Sequence, residues 1–161
     1  MIPELSIVIP VHNESPNIEP LYEELTQTLG QYGRAYELLL VDDGSTDDTF
    51  EQLALLQSRD PRLRVIRFRR NFGQTAAFAA GVAHARGRLV VTSDGDLQND
   101  PRDIPAMVAM IDQGNDIVCG WRKDRKDTFM TRRVPSILAN KLISWATGVP
   151  QIGRASCRER V

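Results

Sequence analysis

Three stretches of the chain are apolar with almost no polar break: Leu5 to Val11 (LSIVIPV), Glu37 to Val41 (ELLLV) and Leu89 to Val91 (LVV). Runs of this length and kind read as strands buried on both faces. Between the first two, Ile18, Leu21, Tyr22, Leu25 and Leu29 recur at helical spacing. The spacing predicts a helix opened by Ser15-Pro16 and stopped by Gly30 and Gly33. Ser45 with Asp48 forms a capping box for a second helix, with Phe50, Leu53, Leu56 and Gln57 facing inward. Leu63 to Phe68 sets Arg64 and Arg67 against Val65, Ile66 and Phe68, and reads as a third strand. An alanine-rich segment, TAAFAAGVAHA, predicts a helix able to approach the sheet closely, ended by Gly87. After the LVV strand, Asp100-Pro101 opens a helix from Ile104 to Gln113 with Met107, Val108 and Ile111 inward; Asp116 to Gly120 reads as a fifth strand.

Strand and helix therefore alternate four times, the signature of an α/β fold with a Rossmann-like, doubly wound, mainly parallel sheet and flanking helices. Right-handed crossovers bring the carboxyl ends of parallel strands to one edge. Glu14, Asp42, Asp43, Asp94 and Asp96 all follow strands directly, so they are expected to line one cleft there. The stretch RLVVTSDGDLQNDP is the most informative. Asp-Gly is also an ordinary turn pair, so position rather than composition carries the reading. Asp94, Asp96 and Gln98 supply oxygen donors at alternate positions, suited to a hard divalent cation with room left for substrate phosphate. The loop PVHNESPN contains no G-x-G-x-x-G, so that turn does not cradle a dinucleotide phosphate.

Composition narrows the class without changing it. The 161 residues are 42% hydrophobic and 25% charged with a formal charge of −1, which describes a globular chain and gives no reason to expect nucleic acid as a partner. Cys119 and Cys157 have no metal-ligand spacing and form no disulfide framework, so a reducing, cytoplasmic setting is expected. Cys119 reads as a small buried apolar group and His84 as a helix-surface residue. No apolar run reaches the length of a membrane span, and the first residues lack a signal-peptide pattern.

IVIPVHNE, LLLVDDGSTDDT, RNFGQTAAFAAG and VTSDGDLQNDP, in that order, resemble the family 2 glycosyltransferases with the GT-A fold. Within that family they are most similar to polyprenyl-phosphate sugar transferases of the undecaprenyl-phosphate glucosyl and aminoarabinose type, and more distantly to dolichyl-phosphate mannose synthase. The resemblance spans about residues 5–150. It implies that Pro10, His12, Glu14 and Val41 contact the nucleotide, with Asp42 and Asp43 on base and ribose and Asp94 and Gly95 beside them. His12 stands where the family often has tyrosine. Asp94, Asp96 and Gln98 would hold Mg2+ or Mn2+, and Asp96 and Arg122 would serve catalysis, Arg122 at the diphosphate.

The activity so implied is inverting transfer of a sugar from a nucleotide-sugar, UDP-linked by likeness, to a polyprenyl (undecaprenyl) phosphate. Two other readings stay open: a family 2 transferase acting on a saccharide, and a non-catalytic nucleotide-binding module of a membrane complex. The basic segment Arg122 to Arg133 and the helix expected over Val134 to Thr147 would meet the acceptor phosphate or the membrane surface. The full-length protein is placed at the cytoplasmic face of the bacterial inner membrane, with room for a homo-oligomer. Residues 1–150 are expected to be the N-terminal, nucleotide-sugar-binding part of the domain, incomplete at the C-terminus. Residues 151–161 depart from the family pattern and, back-translated, resemble sequencing-adapter read-through. The chain alone is then expected to be a soluble, cytoplasmic fragment that binds the donor with little or no transfer.

Overall fold

The computed structural model describes residues 2–120. These fall into two compact units, the first reaching Ala106 and the second beginning at Met107. The elements are β1 (Leu5–Val11), α1 (Ser15–Tyr32), β2 (Tyr36–Asp42), α2 (Thr49–Arg59), β3 (Leu63–Arg67), α3 (Gln74–His84), β4 (Leu89–Thr92), a single 3-10 turn (Pro101–Asp103) and α4 (Ile104–Asp112). The sheet has the order β3-β2-β1-β4, and every pairing is parallel. The α/β architecture expected from the alternation is therefore present, as four strands with flanking helices.

β1 and β2 occupy the centre, and every residue of both is buried. Their register is continuous from Leu5 opposite Tyr36 to Val11 opposite Asp42, so the two strands end level. The outer strands differ. Among the described residues β4 pairs with β1 alone, and its residues alternate between partly covered and exposed, Val90 being 41% exposed. The expectation of a strand buried on both faces is corrected there: among the described residues β4 lies at the edge of the sheet, and its alternate positions Val90 and Thr92 are exposed. Residues 116–120 form no strand, and Ile117 and Cys119 are exposed, against the expected fifth strand and buried thiol. A strand has no hydrogen bonds of its own and exists only by pairing. Residues 116–120 have no such pairing in the described sheet.

Helix starts also differ in detail. α2 begins at Thr49 after Asp48 with no side-chain cap, and Ser45 is engaged elsewhere. Its inward positions are Thr49, Leu53 and Leu56, while Gln57 is exposed, since starting the helix at Thr49 sets the buried stripe at 49, 53 and 56. α1 is preceded by Glu14 rather than capped by Ser15, and it runs through Gly30 to Gly33, whose φ of 76° and N–H to the Leu29 carbonyl close it. α3 lies on β1 and β2. A Cβ on Gly81 would lie 2.2 Å from Val8 Cγ1, so the small residue permits the close approach read from the sequence. α3 gives way to extended backbone at Ala85, before Gly87.

Gly87 has its own reason to lack a side chain: a Cβ there would lie 2.7 Å from the Leu5 carbonyl carbon and the Ser6 nitrogen. The segment is pressed onto β1 by a buried polar cluster at the amino ends of the strands. Ser6 Oγ donates to Glu37 Oε1 at 2.7 Å, Arg64 Nη1 donates to Glu37 Oε2 at 2.9 Å, and the Arg86 and Gly87 N–H groups donate to Glu37 Oε1 and Ser6 Oγ. Burial pushes the Glu37 carboxyl up, but the donors from Ser6, Arg64 and Arg86 outweigh it and hold it below its ordinary value. A depressed carboxylate contributes stability above its unfolded value and loses it as pH falls through the folded one. Chemical denaturation should therefore show Glu37→Gln less stable than the parent at about pH 6, with the gap closing toward about pH 3. A gap that stays constant with pH would show that the charge of Glu37 carries none of this stability.

Candidate functional site

The loops at the carboxyl edge of the sheet are tied to one another by side chains that their own turns supply. After β1, the Asn13 N–H donates to Ser45 Oγ at 3.0 Å, and Asn13 Oδ1 accepts from the Thr46 N–H at 2.8 Å. The Glu14 N–H donates to Thr49 Oγ1 at 3.0 Å, while the Glu14 carboxylate accepts from the Asn17 amide. Asn13 has a φ of 54°, a conformation asparagine tolerates better than most residues. Asp47 accepts from the Thr49 hydroxyl and from the Thr49 and Ser15 N–H groups, which hold its carboxyl below the ordinary range.

After β2 the two aspartates have different surroundings. Asp42 is fully buried; its Oδ1 accepts from the Ser45 N–H at 2.9 Å, whereas its Oδ2 has no hydrogen-bond partner. The Arg67 guanidinium stands 3.7 Å from that oxygen and 3.8 Å above the Phe50 ring. Asp43, also buried, directs Oδ1 to the Phe72 N–H at 2.7 Å and Oδ2 to the Gly73 N–H at 2.9 Å. Gly44, at φ 69°, lies directly under this loop, since a Cβ there would lie 2.3 Å from the Arg70 carbonyl carbon. Asp-Asp-Gly is thus one buried carboxylate with an open oxygen, one that anchors the loop after β3, and one position without room for a side chain.

A hollow of about 700 Å³ opens at this edge, walled by His12 after β1, Gly44, Ser45 and Thr46 after β2, and Arg67 to Asn71 after β3. The expected cleft was to be lined by five carboxylates. None of the five lines this hollow; Asp42 and Asp43 are buried, and the walls are loop backbone, His12 and arginines. For Asp42 and Asp43 the physical reason is that a carboxylate at a buried strand end is met by loop N–H groups, from Ser45 and from Phe72 and Gly73, rather than by solvent. Val41 is a core residue whose Cγ2 faces Gly81 of α3, and Pro10 is buried in β1.

After β4, Asp94 Oδ1 accepts from Gln74 Nε2 at 2.6 Å, and Asp96 Oδ1 accepts from the Gln98 N–H at 3.1 Å, with Leu97 at φ 58° between them. Gly95 sits against the end of β1, where a Cβ would lie 2.8 Å from Val11 Cγ1 and 3.2 Å from the Pro10 carbonyl oxygen. The described residues contain no group of three or more His, Cys, Asp or Glu side chains able to hold a metal ion. The donor chemistry of Asp94, Asp96 and Gln98 nevertheless fits a hard cation: both carboxylates keep one oxygen without a protein partner among the described residues, and phosphate oxygens commonly complete such a shell. Arg122, the basic segment after it and the expected helix over 134–147 lie outside the described residues, as does the 151–161 tail. Sequence reasoning missed Gln74, Arg67 and Asn13. Arg67 was legible only as a polar position on the third strand, and nothing in periodicity marks Gln74 as a partner of Asp94.

Comparison with known proteins identifies the family and the fold. A family model described as "Glycosyl transferase family 2" matches residues 6–153. A curated relative, dodecaprenyl-phosphate galacturonate synthase of Rhizobium johnstonii, is 49% identical over 148 residues, covering 91% of this chain and 44% of that protein. The chain thus spans under half the length of this relative. Among solved structures, glucosyl-3-phosphoglycerate synthase of Mycobacterium tuberculosis in complex with Mn2+, UDP and phosphoglyceric acid superposes with a TM-score of 0.66 at 23% identity, over 94% of this chain and 52% of that one. A mannosyltransferase of Pyrobaculum calidifontis in complex with GDP-Man and Mn2+ gives a TM-score of 0.62 at 23% identity, over 76% and 36%. These likenesses carry the fold, which is GT-A-like, and the family model and the curated relative carry the rest: the chain belongs to glycosyl transferase family 2.

Proposed function

We propose that this chain forms the donor side of an inverting, metal-dependent glycosyltransferase that moves a sugar from a UDP-sugar to a polyprenyl phosphate. The observation that carries the nucleotide reading is Asp42 Oδ2: a fully buried carboxylate oxygen without a hydrogen-bond partner, beside Arg67, which walls the hollow. Asp42 does not itself line the hollow, so the Arg67 side chain beside it has to shift to open that oxygen to a ligand; leaving such an acceptor unmet costs about 1–3 kcal/mol or more, which favours a ligand N–H that then reaches it. The imide edge of uracil offers an N–H flanked by carbonyls, which matches an acceptor next to a guanidinium donor. The acceptor class is supported by the curated relative, whose name specifies a dodecaprenyl phosphate product.

In this reading Asp42 and Arg67 orient the base, and His12 with the Gly44–Thr46 backbone borders the nucleotide. Asp43 acts through the loop it anchors rather than on the ribose, because Phe72 and Gly73 each occupy one of its oxygens. Asp94 and Asp96, with Gln98, would hold Mg2+ or Mn2+, an assignment supported by the Mn2+ in two of the neighbours. When bound, the ion supplies Lewis-acid neutralisation of the charge gathering on the leaving diphosphate. Attack by an acceptor phosphate oxygen from the opposite face inverts the anomeric carbon. That oxygen is already anionic near neutral pH, so no strong base is required of the chain. Such an acceptor is a membrane lipid, which supports the reading that the intact protein works at the cytoplasmic face of the bacterial inner membrane. No helix among the described residues is long and apolar enough to cross a membrane.

Two measurements test this. In calorimetric titrations with UDP and GDP, UDP should bind more tightly, and Asp42→Asn should weaken UDP by about 10- to 100-fold, the loss of one hydrogen bond to a charged group. Asp43→Asn should act mainly on the fold, lowering unfolding free energy by about 2 kcal/mol as one loop N–H loses its acceptor. Equal losses of UDP affinity in the two variants would overturn the division of roles. For the reaction, the intact protein should transfer radiolabelled sugar from a UDP donor into a polyprenyl-phosphate lipid and lose that transfer in Asp96→Ala. Label recovered only in a saccharide, or not transferred at all, would contradict the reading.

A further inference from the structure

Among the expected cation ligands, Asp94 is held by another side chain through a short contact: Gln74 Nε2 donates to Asp94 Oδ1 at 2.6 Å. Resting on the reading that Asp94 takes a divalent cation, we propose that Gln74 is the positioning residue of that site, orienting Asp94 without reducing its charge. A carboxylate can only accept, so the Gln74 amide must present its NH2 group, and one carboxylate oxygen is thereby fixed. The other, Oδ2, is left without a protein partner among the described residues and is turned to a single direction. A lysine or arginine reaching the same oxygen would hold it as well, but its charge would oppose a cation. A neutral amide fixes the ligand and leaves its negative charge intact.

The donor is itself held. Gln74 is the first residue of α3, immediately after Gly73, whose φ of 92° and ψ of 154° turn the chain into the helix. The Gly73 N–H donates to Asp43 Oδ2 and Asn71 Oδ1, the Phe72 N–H donates to Asp43 Oδ1, and the Gly73 carbonyl accepts from Ala76 and Ala77. Further along, α3 is seated on β1 and β2 at Gly81. A connected path therefore runs from the buried Asp43 after β2, through the loop after β3, to Asp94 after β4. Outer partners of this kind typically change metal affinity 10- to 100-fold when removed.

Gln74 is exposed, so its replacement leaves the core untouched. The probe is Mn2+ itself, followed in the presence of UDP by the loss of the free-ion electron paramagnetic resonance signal, in the parent, Gln74→Leu, Gln74→Ala and Asp94→Ala. Gln74→Leu and Gln74→Ala should both weaken Mn2+ by about tenfold. Their melting temperatures and their metal-free UDP affinities should match the parent, a pattern that general loop damage would not produce. Asp94→Ala should lose Mn2+ uptake. If the two Gln74 variants bind Mn2+ like the parent while Asp94→Ala does not, the positioning role is overturned and the cation site stands. If Asp94→Ala binds Mn2+ like the parent, or the parent takes up none, the cation reading itself falls and the proposal with it. Gln74 variants that lose Mn2+ together with metal-free UDP binding would also overturn it, because the residue would then be acting on the loop as a whole.

Discussion

The parallel pairing of β1 with β2 is the constraint on which the other features depend. Both strands are buried along their whole length, and a slip of one residue would turn every side chain to the opposite face. The register is therefore held by the core, and it ends with Val11 opposite Asp42. Because the strands stop level, the turns after them begin within reach of each other. Asn13, Ser45, Thr46 and Thr49 can then exchange hydrogen bonds across the two turns. The loop after β3 enters the same assembly through Asp43, and the turn after β4 through Gly95 and Gln74.

The two ends of the sheet treat buried carboxylates differently. At the amino end, Glu37 accepts from Ser6, Arg64 and the Arg86 backbone, so its charge is fully answered from within the protein. At the carboxyl end, Asp42 is just as buried but has one oxygen left without a hydrogen bond. The first arrangement suits a fastening; the second suits a receptor. The same residue class on the same strand thus separates into stability and recognition according to what surrounds each oxygen.

Much of the fold was legible in the residues because the strong signals are local. The uninterrupted runs at Leu5 to Val11 and Glu37 to Val41 marked the central strands, and Ile18, Leu21, Leu25 and Leu29 marked the buried face of α1. What was not legible depended on neighbours. Leu89 to Val91 has the composition of a central strand, and only its place at the edge of the order β3-β2-β1-β4 exposes Val90. Ser45 has the spacing of a helix cap, yet its hydroxyl accepts from Asn13 across 32 positions of chain. The site was legible to the same depth: the acidic residues were found, but the difference between Asp42 and Asp43 is made by Arg67, Phe72 and Gly73, which periodicity does not connect to them.

The half-covered β4 has a practical side. Among the described residues its outer flank has no neighbouring strand, and Val90 offers an apolar side chain beside that row of backbone donors and acceptors. Such a flank is a template for another copy of the same segment, and natural proteins often guard it with a lysine or a proline. A charged side chain in place of Val90 would give the flank seen among the described residues that kind of guard.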